Sequence, residues 1–422
     1  MKKSIQAILK DSFIQNNIIF FFGSFGVAVL NYLYYPILGR IMSIEDFGEV
    51  QVVLSILVQV SILFTVFSYL KINLITNHPD KKERERLTAS LEKFALLLSL
   101  VIFFLILIFS GLLKKYLQFQ SLYPFVGLAF LLPLGVPLTF RTAYLLGRKK
   151  FFKASVAGAI SAVGKTVFAV IFIYLGFRTF GAIAALLLSQ ILAIAYLSYQ
   201  RHGTFSLIPL SALRAKVRGS KPLNEEIKKG FFIFVILISI AFLFTSDIIF
   251  VRLFFSPAQS GLYSGIATIA RIIFFVTASI SGVLLPSVKI NAKEKNRKLL
   301  KKSFLLICLL GGSSMLAFMF FPGFFIKLLI GSKFLVLKNL LPWLSLSLFL
   351  TAILNLMLVY YIAHQKYIVS LFALVGTATV ILLSFLHHNS LLAIIFNFII
   401  STVLVMILIF IWTASRRDYQ NA

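Results

Sequence analysis

Arg141, Lys165 and Arg271 lie inside stretches otherwise apolar enough to cross a bilayer, and of the acids only Asp247 clearly joins them there. A bare charge near the bilayer centre costs between ~3 and over ~10 kcal/mol, so such residues face a wet cavity or a partner rather than lipid. With too few acids to neutralise them, the partner these cations suit is an anionic substrate. The chemistry they offer is recognition of charge, not the making or breaking of bonds.

Position along the apolar stretches ranks the cations. Lys165 lies near the middle between the basic residues that bracket its stretch, Lys153 and Arg178, about 18–20 Å from either at 1.5 Å per residue. That is too far for snorkelling. Ala154, Gly158 and Ser161 precede it at helical spacing, a small-residue stripe that admits a neighbouring helix or leaves room for a ligand. Lys165 is therefore read as lining a cavity, with a structural contact as the alternative. Arg271 lies about 15 Å into its stretch counted from Gly261; its face carries Ser264, Ala267 and Thr268, and its planar fork suits a pair of phosphate oxygens. An ion pair with Asp247 is its rival reading. Arg141 is close enough to Arg148 to snorkel, so cavity and interface are equally open for it. Lys71 and Arg252 are nearer the ends of their stretches and read as interfacial anchors. Asp247 is either a proton or cation site of a coupled carrier or a counter-ion for Arg252 or Arg271.

Catalytic readings find no support. His78, His202, His364, His387 and His388 fall at or near loops with no H-E-x-x-H pattern, and the adjacent His387 and His388 read as an exposed turn, not a metal site. No glycine-rich phosphate loop, nucleophile elbow or carboxylate pair stands out. The single cysteine, Cys308, rules out an intrachain disulfide. No cofactor or metal is expected, with H⁺ or Na⁺ coupling left open.

The elements that must position these residues are transmembrane helices. The chain has 422 residues, 60% of them hydrophobic and 13% charged, with mean hydropathy +0.98, far more apolar than a water-soluble domain. Apolar windows of spanning length predict about twelve helices, near 17–39, 48–72, 93–113, 122–146, 154–177, 180–200, 230–254, 261–288, 303–325, 337–362, 367–386 and 390–414. Pro133 and Pro137 should kink the fourth. Ser4 to Phe13 suits a short interfacial helix, and the long stretch after Ile18 reads as a retained first span, not a cleaved signal.

Most of the lysines and arginines, including those at 81–86, 148–150 and 289–302, collect on one side of this topology. By the positive-inside rule that side is the cytosol, which places both termini there. The net charge of +28 is then orientation and attraction to anionic headgroups, not a nucleic-acid surface, since no soluble domain is large enough to carry one.

The longest polar stretch, 201–229, divides the chain into a six-helix bundle over 1–200 and another over 230–422. The first pair of spans is joined through Arg40, Ser43, Phe47 and Gly48, and the seventh and eighth through Arg252, Ser256 and Gly261. Both connections read arginine, apolar pair, serine, turn, glycine. With six spans per half, such a duplication gives parallel repeats about an axis along the membrane normal.

The segment Asn31 to Gly48, ending Leu-Gly-Arg-Ile-Met-Ser-Ile-Glu-Asp-Phe-Gly, resembles the first-loop signature of Wzx-type polysaccharide and O-antigen flippases of the multidrug/oligosaccharidyl-lipid/polysaccharide superfamily. Asp247 to Arg252, leading to Gly261, Leu262, Tyr263 and Ser264, is similar to the same family's signature between spans seven and eight. Glu49 departs from it, an aromatic residue more commonly following the glycine. The resemblance implies a V-shaped carrier of two bundles in a bacterial inner membrane, moving a polyprenyl-pyrophosphate-linked oligosaccharide outward and working beside polysaccharide polymerase and chain-length machinery. Under that implication Lys165, Arg271 and Arg141 would meet the pyrophosphate and proximal sugars. A cation-coupled multidrug exporter of the same superfamily is the alternative, disfavoured because it should carry intramembrane acids. A membrane polysaccharide polymerase or ligase is remoter, since the outer loops are short.

Overall fold

The computed structural model describes residues 12–77, 80–202, 221–288 and 293–421, which are helices and short connections without a strand. The interfacial helix expected at Ser4–Phe13 and most of the linker expected at 201–229 lie outside the described residues. In chain order the helices are α1 (Ser12–Ile41), α2 (Ile44–Asn77), α3 (Lys81–Tyr116), α4 (Tyr123–Gly147), α5 (Phe151–Tyr174), α6 (Arg178–His202), α7 (Lys221–Thr245), α8 (Asp247–Phe254), α9 (Pro257–Ser287), α10 (Lys293–Phe320), α11 (Pro322–Leu329), α12 (Leu341–Ala363), α13 (Val369–Leu386) and α14 (Leu391–Asn421), with a 3₁₀ segment at Ser332–Leu340.

Among the described residues ten helical segments are long and apolar enough to span a membrane, and α7 with α8 forms an eleventh, bent by 51°. The protein is thus a multi-pass, all-helical membrane protein. Local sequence explains the boundaries. Asp80 accepts from the Lys82 amide and starts α3; Ser256 and Gln259 form a reciprocal capping box around Pro257 at the start of α9. The fourth span runs as one helix through Pro133 and Pro137.

Contacts divide the chain into two compact units, one of residues 1–42 and 63–230, the other of 43–62 and 231–422. The boundary at Gly230 coincides with the end of the expected linker. The segment Ser43–Ile62 packs with the second unit, whereas a split by sequence alone places it in the first. A buried ion pair and a backbone-to-backbone approach, described below, hold it there.

The pattern of helix neighbours recurs. In the first unit α3 packs on α4, α4 on α6, and α5 on α6; in the second α10 packs on α12, α12 on α14, and α13 on α14. Buried apolar side chains fill both. Leu145, Ala154, Ala157 and Leu197 form one cluster, and Leu284, Ile307, Ala352 and Leu356 are at the heart of another.

Candidate functional site

In the first unit, α5 presents Lys165 to α1. The small-residue stripe serves this packing: a Cβ on Gly158 would lie 3.1 Å from Val27, and Gly23 is seated against Ser155. Of the two readings of that stripe, it admits a helix. Lys165 Nζ lies 4.9 Å from the centroid of the Tyr34 ring, a cation–π contact. Tyr34 is 1% exposed and its hydroxyl donates to the Ala182 carbonyl at 3.1 Å. Among the described residues the Tyr34 ring is the partner of this ammonium, and no carboxylate is paired with it.

Arg141 is differently placed. Its Nη1 donates to the Ile194 carbonyl at 3.2 Å and to Ser198 Oγ, and the residue is buried. These bonds tie α4 to α6. Lys71, expected at the interface, is also buried; it pairs with Glu92 at 3.6 Å and lies over Phe140 at 4.7 Å.

In the second unit the buried arginines Arg252 and Arg271 are paired with acids. Arg271 Nη2 donates to Asp247 Oδ1 at 2.7 Å, and the Tyr263 hydroxyl donates to Oδ2 at 3.1 Å. The bend between α7 and α8 supplies a further acceptor, the Thr245 carbonyl, which takes bonds from Ser55 Oγ at 2.6 Å and Arg271 Nη2 at 3.4 Å. Arg271 Nε is buried without a hydrogen-bond partner among the described residues. Asp247, Tyr263, Ser347 and Phe398 help line a small cavity of about 10 Å³, room for roughly one water.

Arg252 is not an interfacial anchor. It is 1% exposed and pairs with Glu49 at 3.3 Å. Next to Glu49, Gly48 meets Gly261 and brings the two connecting motifs together: a Cβ on Gly48 would lie 2.8 Å from Gly261 Cα, and one on Gly261 would lie 2.0 Å from the Ile44 carbonyl oxygen. Phe47 is fully buried, edge-on to Phe334 at 5.6 Å. Arg40, by contrast, is exposed.

A family model of polysaccharide biosynthesis proteins matches residues 13–291. The chain belongs to that family. No curated protein sequence matches it. Its fold is that of the multidrug/oligosaccharidyl-lipid/polysaccharide superfamily. An inward-facing multidrug resistance MATE family transporter superimposes with TM-score 0.69 at 16% identity, over 93% of this chain and 95% of that one. The lipid II flippase MurJ in an inward closed conformation gives 0.69 at 15% identity, over 94% and 87%. The eukaryotic MATE transporter AtDTX14 gives 0.62 at 16%, over 96% of each.

For this polysaccharide biosynthesis protein the sequence understated the acids. Glu49 and Glu92 are both buried and paired, but each falls at the edge of an expected span, where a carboxylate reads as solvated. The helices that carry them, α2 and α3, extend beyond the apolar windows. Of the deep cations that suggested an anionic substrate, Arg271 is paired with Asp247, Arg141 is bonded to Ser198 and the Ile194 carbonyl, and Lys165 faces the Tyr34 ring.

Proposed function

We propose that the protein carries a polyprenyl-pyrophosphate-linked oligosaccharide from the cytosolic to the outer leaflet of a bacterial plasma membrane by alternating access, with both termini cytosolic. The observation that carries this reading is the Lys165 ammonium, deep in a span and facing an aromatic ring instead of an acid. A pyrophosphate supplies the counter-charge that the protein does not, and an ammonium on a long stem adapts to it as a point charge. Membership of the polysaccharide biosynthesis family supports a glycan on the far side of that phosphate.

Arg271 and Arg141 stand differently toward the substrate. Arg271 must exchange Asp247 for phosphate, and its Nε is the donor free to begin that exchange. Asp247 then acts as the counter-ion that holds Arg271 between transport events. Arg141 would have to leave Ser198 and the Ile194 carbonyl, so its contribution is to position α4 and α6. Arg40, Phe47, Gly48, Arg252, Gly261 and Tyr263 act through the motif contact rather than on substrate. The protein works as a carrier, not an enzyme, and hands its cargo to polymerase and chain-length machinery on the outer face.

Removing the protein from its cell and isolating the polyprenyl-linked sugars tests the reading. Accumulation of a complete lipid-linked repeat unit on the cytosolic leaflet is expected. Unimpaired surface glycan, or loss of resistance to cationic drugs with normal glycan, would point to the multidrug exporter instead.

A further inference from the structure

The two units differ in one connection. In the first, α3 passes to α4 through residues 117–122 alone, whereas in the second the equivalent passage from α10 to α12 takes residues 321–340 and folds into α11 and the 3₁₀ segment. Phe321 leaves helical geometry and Pro322 starts the new helix. Gly331, with φ of 102°, then turns the chain from α11 into the 3₁₀ segment. At eight residues α11 is about 12 Å long, too short to cross a bilayer.

This inserted hairpin is apolar on two sides. Inward, Ile326 and Ile330 are buried and α11 packs on the 3₁₀ segment, whose Phe334 ring sits so close to Gly265 that a Cβ there would lie 2.3 Å from it. Outward, Phe321, Phe324 and Leu328 share a face at helical spacing, and each is more than half exposed. That face continues a surface that meets lipid: α10 is a spanning segment, and its exposed side runs through Leu309 and Leu316 to Phe320, the residue before Phe321. In water such a patch would invite aggregation.

Charge decides which lipid suits it. Lys327 in the last turn of α11 and Lys338 in the 3₁₀ segment are exposed, with no acid partner among the described residues. The sequence has no Asp or Glu between Glu294 and Asp418 to neutralise them. Because α10 starts in the lysine-rich segment 289–302, its far end lies on the side that positive-inside orientation makes the outer one. A lysine stem beside an apolar face lies along acyl chains while its ammonium reaches headgroup phosphate.

We propose that α11 and the 3₁₀ segment form an interfacial hairpin seated in the outer leaflet, with Phe321, Phe324 and Leu328 among acyl chains and Lys327 and Lys338 on the phosphates of anionic phospholipid. The site is separate from the cargo path and holds whatever the cargo is.

Phe324→Trp in a background of Trp343→Phe and Trp412→Phe leaves one indole, on the outward face. The protein is reconstituted in phosphatidylcholine vesicles carrying a minority of phosphatidylglycerol, with either lipid brominated on its acyl chains. Brominated lipid is expected to quench the indole and aqueous iodide is not, and phosphatidylglycerol should be enriched at the indole over phosphatidylcholine by about fivefold per lysine. Lys327→Gln together with Lys338→Gln should bring the two lipids to equal quenching, and high salt should shrink the preference. Thermal unfolding verifies that each variant is folded. Quenching by iodide and not by lipid would place the face in water; quenching by neither would place protein over it, a second copy or a partner; equal quenching by both lipids with the lysines intact would remove the phosphate contact. Each of these overturns the proposal, and none of them bears on the transport reading.

Discussion

The Glu49 carboxylate and the Arg252 guanidinium lie 3.3 Å apart, with side chains 3% and 1% exposed. One follows the glycine of the first connecting motif and the other is the arginine of the second, so the two motifs are held by charge as well as by the meeting of Gly48 and Gly261. Glu49 is also the position where the chain departs from the family signature. The departure is compensated: the carboxylate found there neutralises the buried Arg252 guanidinium, which also donates to the Pro257 carbonyl at 3.4 Å.

Breaking that pair should be costly. Removing one partner of a buried ion pair leaves an uncompensated charge and typically loses about 3–5 kcal/mol. Glu49→Ala is expected to lower unfolding resistance in detergent by that order, and the reversed pair Glu49→Arg with Arg252→Glu should recover part of it. A Glu49→Ala protein as stable as wild type would show that the charge is neutralised elsewhere.

The two glycines make a steric prediction. A methyl group on Gly261 would lie 2.0 Å from a backbone oxygen, and backbone cannot give way as a side-chain tip can. Gly261→Ala should therefore reduce the amount of folded protein in the membrane sharply, and Gly48→Ala, facing Gly261 Cα at 2.8 Å, should do the same. Gly111→Ala is the control, because nothing lies within 4 Å of its added Cβ. Equal abundance of all three by immunoblot of membranes would rule out the close approach.

These contacts mark what a linear reading could reach. Spans and the break near Gly230 follow from hydropathy, because a bilayer demands about 20 apolar residues whatever their neighbours. The paired motifs were visible because a duplication leaves similar text at equivalent places. The pairing of Arg271 with Asp247 was among the readings the sequence offered, but other pairings were not legible: Lys71 and Glu92 are on different helices, and Arg141 meets Ser198 57 residues away. Tyr34 carries no signal of its role in the linear sequence, because only the packing of α1 on α5 puts its ring under Lys165.

Asp247 and Arg271 should behave as a stability unit. Asp247→Asn leaves Arg271 buried with its main partner weakened, and Arg271→Gln strands the carboxylate that Tyr263 also bonds. Each single variant should lose roughly 3–5 kcal/mol, with the double variant losing less than the sum. The double-mutant cycle, measured by denaturant unfolding, checks it. Strict additivity, together with transport that no longer responds to an H⁺ or Na⁺ gradient in Asp247→Asn, would instead make Asp247 the coupling site.

Lys165 should show the opposite sign. A charge kept in a span for substrate rather than for packing costs stability while the substrate is absent, so Lys165→Met should unfold no more easily than wild type and can resist heat better. Export should nevertheless fail, with lipid-linked glycan accumulating on the cytosolic leaflet at normal protein abundance. Arg252→Met, which strands Glu49, should lose stability and export together. Thermal scanning of both variants beside leaflet-resolved lipid analysis separates the cases. If Lys165→Met loses stability in the same way as Arg252→Met, the ammonium is a structural partner of Tyr34 and the phosphate must be met elsewhere.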